Sequence, residues 1–423
     1  MSIHTVFAAA TPLGMAGQLD QGFACGGKAH VVFPDSLSCM ANSIAVDPKG
    51  RLLVGAKVTL PAGNRFGMAR LNADGSADVT FGHQGSVVGQ FETDCEATGG
   101  TVHLLSDGRI LLAGLHYESA HRTLPALALF DKNGQPDLRF GTQGVQVVRL
   151  PGDLSVGRRD DWLPPGIPGA EACPIQVQLD GRILILANHH YELADHVGVL
   201  IRLEPHGALD TSFNGRGFLM VRRLLMNTWL GSLLLQRNGR IVVGGSIDLP
   251  QKGLLVRFEA DGSLDNSFAD HGYFSFKAEG RSAQVSQVIE HLDGHLHGFG
   301  SSRDPMQCMS LTLRGDGLGA RAQLDEIGSS HCQWTAAQRL DDGRVLTAGA
   351  TIGGIEADFI LARHWPDGRL DLSFGGGNGW VRTRLGRSLD TATSLAVQAD
   401  GAIVVAGYSL DGNYRAVVAR YLG

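Results

Sequence analysis

The sequence predicts an all-β protein, a seven-bladed β-propeller with four antiparallel strands per blade and a closed ring. Three recurring phrases predict it. The first reads Asp/Asn-Gly-Arg-Ile-x-x-x-Gly. Its turn glycines, Gly50, Gly108, Gly181, Gly239, Gly294, Gly343 and Gly401, span six intervals with a mean period of 58.5 residues. The second is a strand-like run ending in Asp-Gly, as at 66–75, 254–262 and 359–368. The third, Leu-Asp-x-x-Phe-Gly, places Asp20, Asp78, Asp137, Asp210, Asp265 and Asp371 three residues before a Phe, and departs from the pattern near 317–328. So long a period, made only of strand-like pieces, belongs to an array in which no unit buries its core alone.

Each element has a local reason. In the final copy, strands are expected at 380–385, 393–398, 402–407 and 415–420. Asp400-Gly401 joins the second to the third, and Asp-Gly supplies the positive φ of a tight hairpin. Ile403, Val404 and Val405 mark a buried strand, and Gly407 lets neighbouring backbones approach. The chain begins and ends at the same point of the repeat. It closes either between complete blades or by an N-terminal strand that completes the last blade, and the second is preferred. Strand alternation puts the Asp-Gly turns and Leu-Asp-x-x-Phe-Gly linkers on one face, where the repeats agree. The remaining loops differ between repeats and share the opposite face, and a scaffold carries function on its variable loops.

In this order and period, the three phrases resemble the bacterial Delta-60 repeat family over nearly the whole chain. The resemblance implies a β-propeller-like fold and no particular activity.

Composition narrows the partners. The length of 423 residues suggests about three domains. An unbroken repeat argues instead for one domain over 1–423, with an insertion loop at about 150–170 in the third repeat. A net charge of −6, from 36 basic and 42 acidic residues, disfavours a nucleic-acid partner. No stretch reaches the roughly 20 apolar residues of a membrane span. Six cysteines at irregular spacing, without a glycosylation sequon, favour a reducing compartment. A cytoplasmic location is expected, with export lacking a cleaved signal as the alternative. A monomer is expected.

The variable face gathers the candidate site. Its loops bring His116, Tyr117 and His121 in blade two, and His189, His190, Tyr191 and His196 in blade three. The insertion carries Trp162 among prolines and mixed charges, as a binding loop or lid would. Asp94, Glu171 and His331 are the further polar candidates. Cys39, Cys95, Cys173 and Cys332 fall near one position of the repeat. Thiolates and imidazoles are zinc ligands, yet no Cys-x-x-Cys or His-Glu-x-x-His spacing occurs, so buried structural thiols are the preferred reading. Neither metal nor cofactor is expected. The sequence Asn72-Ala-Asp74-Gly75-Ser76-Ala-Asp78 mimics a calcium loop without its closing acid. It reads instead as an Asx/Gly turn whose following Asp bonds linker amides.

Two functions follow. One is a non-enzymatic binding or scaffold protein that presents the variable face to a protein or glycan. The other is a hydrolase or lyase with an axial pocket, using His189 or His331 with Asp94 or Glu171. The first predicts aromatic and His side chains on the rim, and the second predicts His and carboxylates converging at the channel mouth.

Overall fold

The computed structural model describes residues 15–119, 122–151, 173–190, 196–223, 226–248, 251–303, 305–328, 331–353 and 356–423. They form seven four-stranded antiparallel sheets. Blade six is representative: Val345–Ile352 pairs with the inner strand His331–Arg339 and with Phe359–His364, which pairs in turn with the outer strand Trp380–Thr383. The expected strand at 380–385 therefore completes blade six as its outer strand, whereas the repeat frame makes it the first strand of the last blade. Blade seven takes its outer strand, Lys28–Val31, from the N-terminal side, paired antiparallel to Asn413–Tyr421. This is the preferred closure. Phe213–Gly215 and Gly375–Gly377 are single 3₁₀ turns, and no described helix is long and apolar enough to cross a membrane.

Every inner strand but that of blade three carries a bulge in its pairing with the second strand. In blade six the register shifts between Trp334 and Ala336, and in blade seven between Ala392 and Ser394. The displaced residue reaches across the gap. Thr335 Oγ1 donates to Ala392 O at 2.7 Å, Thr393 Oγ1 to Ala41 O at 2.8 Å, and Asn42 Nδ2 to Gly99 O at 2.6 Å. The second of these bonds closes the ring between blades seven and one. Apolar clusters lie between blades; one joins Leu346, Ala348 and Phe359 of blade six to Ala392, Val405 and Ala419 of blade seven.

The face where repeats agree is held by a repeated ionic staple. Asp78, Asp210, Asp265 and Asp371 each accept from an arginine of the preceding strand, Arg70, Arg202, Arg257 and Arg363, at 2.6–2.7 Å. Each also accepts from the amide and hydroxyl of a Thr or Ser two residues on, as Asp371 does from Ser373 at 3.0 and 2.7 Å. The arginine stacks on the Phe of the same motif, 4.6 Å from ring centroid to guanidinium carbon for Arg70 on Phe81. It then donates to a turn carbonyl of the next repeat, Arg70 to Lys132 O at 2.5 Å and Arg420 to Ala73 O at 2.8 Å. Burial pushes these carboxyls up, but the hydroxyl and guanidinium bonds prevail and hold Asp78, Asp210, Asp265 and Asp371 below the ordinary carboxylate range. The calcium-like spacing is thus an Asx turn, with Asp74 Oδ1 accepting from Ser76 N and Oγ at 2.9 and 2.7 Å.

Blade five departs where its sequence departs. Thr312 stands at the stapling arginine's position, and the outer strand Arg321–Leu324 starts four residues after Gly317, leaving no room for the usual linker. Neutral groups fill the gap. Gln323 Nε2 donates to Gly368 O at 2.8 Å, His291 Nε2 lies 3.4 Å from His297 Nδ1, and His364 Nε2 lies 3.0 Å from Thr347 Oγ1. Burial holds all three imidazoles below their ordinary value, His297 furthest. Facing them are Asp293 and His295 from the turn, Arg339 from the inner strand of blade six, and Asp325 from the crossing after the outer strand. A histidine whose folded value lies below its unfolded one, about 6.5, contributes full stability above that value and loses it as pH falls toward the folded one. Asp325, pushed up by burial, acts in the opposite sense at lower pH. The melting temperature is therefore expected to fall as pH drops from about 7.5 to about 5.5, before most carboxylates titrate. His297→Gln should flatten that slope in a thermal melt series, and an unchanged slope would remove this cluster as its cause.

Candidate functional site

The variable face is built from the hairpins between second and third strands and from the crossings that lead into each inner strand. At blade two, three such segments meet. Glu92 lies on the crossing before Glu96–Leu104, Glu118 near the end of Ile110–Ser119, and Arg149 just after the outer strand Val145–Val147. Arg149 forks onto Glu92, Nη1 to Oε1 at 2.9 Å and Nη2 to Oε2 at 2.7 Å. It also donates from Nε and Nη2 to Glu118 Oε1 at 3.1 and 2.9 Å. Arg122 Nε lies 3.0 Å from Glu118 Oε2. The forked pair is 41% and 43% exposed, so charged and fixed groups meet solvent together. Planar guanidinium–carboxylate pairing makes such a fork directional as well as strong. The Arg149 hydrogen bonds hold Glu92 below the ordinary carboxylate range.

His116 sits beneath this network on the second strand, opposite Ala97 and Leu124, and is fully buried. Its Nε2 lies 3.3 Å from Glu92 Oε2 but off the hydrogen-bonding direction. Burial lowers its proton affinity and Glu92 opposes that, leaving it below the ordinary imidazole value. His116 therefore supports the charged network from below and presents no surface to a ligand. Tyr117 is half-buried beside it, and Asp94 occupies a positive-φ turn (φ 63°) of the Glu92 crossing. Cys95, next in that crossing, is pushed up by burial and by Glu92, Glu118 and Asp94, which makes it a poor nucleophile.

A second cluster bridges blades three and four. His196 opens the third strand His196–Leu203, and its Nε2 lies 3.0 Å from Asp248 Oδ2 of blade four. The Trp229 ring stands edge-on to it with centroids 5.6 Å apart. His189 is buried in Ile183–His190 opposite Val197, and His190 ends that strand opposite His196. His331 is exposed at the start of the blade six inner strand, well around the ring from these clusters. His121, Trp162, Glu171 and Tyr191 lie outside the described residues.

The structure thus places two of the sequence's histidines, His116 and His189, in the interior rather than on a rim. It adds Glu92, Glu118, Arg149, Asp248 and Trp229. Arg149 and Glu92 are 57 residues apart, close to one period, so opposite charges on successive crossings were a usable signal. Among the described residues the cysteines are free thiols, and no three His, Cys, Asp or Glu groups are arranged to hold a metal. Cys39 and Cys173 are buried, their thiols on Val31 O at 3.5 Å and Leu186 O at 3.7 Å.

Four stretches, 48–81, 236–268, 340–374 and 398–422, match a β-propeller domain of unknown function (DUF5122). The chain carries β-propeller repeats of that kind. No curated protein matches it. Among solved structures it is similar to the polysaccharide lyase Uly1, at 12% identity and TM-score 0.48 over 94% of this chain and 92% of that one. It is also similar to Sqt1 of Chaetomium thermophilum bound to the N-terminus of ribosomal protein L10, at 12% identity and TM-score 0.48 over 92% and 100%. A third is the intramolecular trans-sialidase of Ruminococcus gnavus, at 11% identity and TM-score 0.41 over 90% and 93%. Likenesses at this level transfer no activity.

Proposed function

We propose that this protein is a non-enzymatic binding propeller of the Delta-60 repeat type, whose variable face at blades two to four receives a protein or glycan partner. The supporting observation is the Glu92–Arg149–Glu118 fork, which is half-exposed, held by at least two bonds per group and absent from the staples that recur on the opposite face. Fixed charges cost little ordering on binding, and they match the hydroxyls, carboxylates and amides of such partners. The Trp229–His196 edge adds an aromatic contact of the kind that anchors recognition.

A second reading rests on His196 and Asp248. An imidazole 3.0 Å from a carboxylate is the arrangement of a general base, and a hydrolase or lyase would use it. His116 is too buried to serve that purpose.

The test is capture of immobilised oligosaccharides and of defined protein ligands by the purified chain. Arg149→Ala should weaken capture about tenfold or more, the worth of one charge-assisted contact, and Trp229→Ala by a similar factor through the lost aromatic anchor. Asp316→Ala, in an exposed turn of the other face, should leave it unchanged. Equal capture by all four proteins would sink the binding reading. Depolymerisation of a captured glycan, lost in His196→Ala, would establish the second reading instead.

A further inference from the structure

Two of the six cysteines face each other across a blade boundary. Cys308 opens the third strand of blade five, Cys308–Leu313, and Cys332 is the second residue of the inner strand of blade six, His331–Arg339. The Cys308 amide donates to Cys332 Sγ at 3.1 Å, and the Cys332 amide donates to Met306 O at 3.3 Å. Standard bond lengths then bring the two Cα atoms to within about 7 Å, at the edge of the range a disulfide spans. Both side chains are buried among Phe299, Ile327, Trp334 and Ile360.

The same position elsewhere supplies a control within the molecule. Cys39 occupies it in blade one, eleven residues before its turn glycine, as Cys332 is before Gly343. Its Sγ likewise accepts an amide of the preceding blade, Ala416 N at 3.4 Å. A thiol accepting the neighbour's amide is therefore a recurring packing device. Only between blades five and six does the amide's owner carry a second thiol.

We propose that Cys308 and Cys332 are a redox modification site, which a small-molecule disulfide such as oxidised glutathione, reaching the buried thiols when the boundary between blades five and six opens, converts to an interblade cystine. Cys332, as thiolate, attacks one sulfur of the small disulfide and releases its first half as a thiolate. Cys308 gives its proton to that thiolate and displaces the second half, which leaves as a thiol after taking up the proton lost by Cys332. The protein gives up two electrons and two protons, and the small disulfide is reduced to two thiols. The roles follow from the surroundings. Hydrogen bonding from Cys308 holds the Cys332 thiol below its ordinary value, whereas burial pushes Cys308 well above it. The bond joins blades five and six on the face opposite the missing ionic staple of blade five, and it closes a loop between positions 24 residues apart.

The experiment oxidises the full chain in two ways, natively with oxidised glutathione and during refolding in a glutathione redox pair. Free thiols are then alkylated in denaturant and counted by intact mass and peptide mapping. The expected result is two fewer alkylated cysteines than in reduced protein, one cross-linked peptide joining Cys308 to Cys332, and a melting temperature raised by roughly 3–6 °C. Cys308→Ala and Cys332→Ala should each lose the cross-link and the rise, while Cys39→Ala keeps both. Six alkylated cysteines in the oxidatively refolded, folded protein would overturn the proposal, as would a cross-link through Cys25, Cys39, Cys95 or Cys173.

Discussion

Replacing Asp371 with alanine is expected to cost about 3–5 kcal/mol of unfolding free energy, enough to leave a marginal propeller partly unfolded at ambient temperature. Asp371 is 1% exposed and accepts four bonds: from Arg363 Nε at 2.7 Å, Arg344 Nη1 at 2.8 Å, and the amide and hydroxyl of Ser373 at 3.0 and 2.7 Å. Alanine satisfies none of them. Arg363, stacked at 4.8 Å on the Phe374 ring and nearly buried, would keep its charge without a counterion, and this is the largest part of the loss. Asp371→Asn keeps the hydroxyl and amide bonds and should cost less. The exposed Asp367–Arg369 pair in the same blade is the comparison, with the same 2.7 Å contact but side chains 48% and 71% exposed. Water solvates and screens it, so Asp367→Ala should barely move the transition. Urea unfolding of the three variants measures this ordering, and equal losses for Asp367→Ala and Asp371→Ala would contradict it. The sign with pH is also fixed. Asp371 has a folded value below its unfolded one, so its contribution is whole above about pH 4 and declines as pH falls toward the folded value.

Gly349→Ala should destabilise the fold by about 3 kcal/mol, at the upper end of overpacking costs. A Cβ at Gly349 would stand 1.9 Å from Gln333 O and 3.0 Å from Trp334 Cα, both backbone atoms of the inner strand. Neither can move without opening the bulge between Trp334 and Ala336. The same crowding recurs at Gly114, Gly245, Gly300 and Gly407, each with a carbonyl oxygen at 1.9–2.0 Å from the added carbon. Gly343, the other glycine of this motif in blade six, has φ 87° and only Pro366 Cγ at 3.6 Å. Gly343→Ala is then a matter of backbone conformation, costing about 1–2 kcal/mol. Denaturation midpoints of the two variants separate the mechanisms. If Gly343→Ala proved the more damaging, close approach at Gly349 would not be the reason for that glycine.

The sequence legibly marked the turns because each depends on one residue's own conformational freedom. Asp-Gly at 342–343 and 400–401 sits where a positive φ is required, and both glycines adopt it. The calcium-like spacing was equally readable, since Asp74, Ser76 and Asp78 meet their partners within a few residues. The repeat frame assigns the outer strand to the following blade, because sequence neighbours do not say which sheet a strand joins. Trp380 pairs with Ala362 behind it rather than with anything ahead.

At the candidate site the division is sharper. His116 and His189 read as surface loop residues because they adjoin variable hairpins, yet strand pairing opposite Leu124 and Val197 turns them inward. Glu92, Glu118 and Arg149 are unremarkable charges in one dimension, separated by up to 57 residues, and become a fork only when three chain segments meet at blade two. By itself, the sequence determined the repeat, the blade count and the two faces, since periodicity and turn chemistry are local properties that repetition amplifies. Which side chains meet across blade boundaries, the staples, the histidine cluster and the Cys308–Cys332 pair among them, was decided only by the tertiary structure. Those contacts depend on how the closed ring packs one sheet against the next, and no stretch of sequence encodes that distance alone.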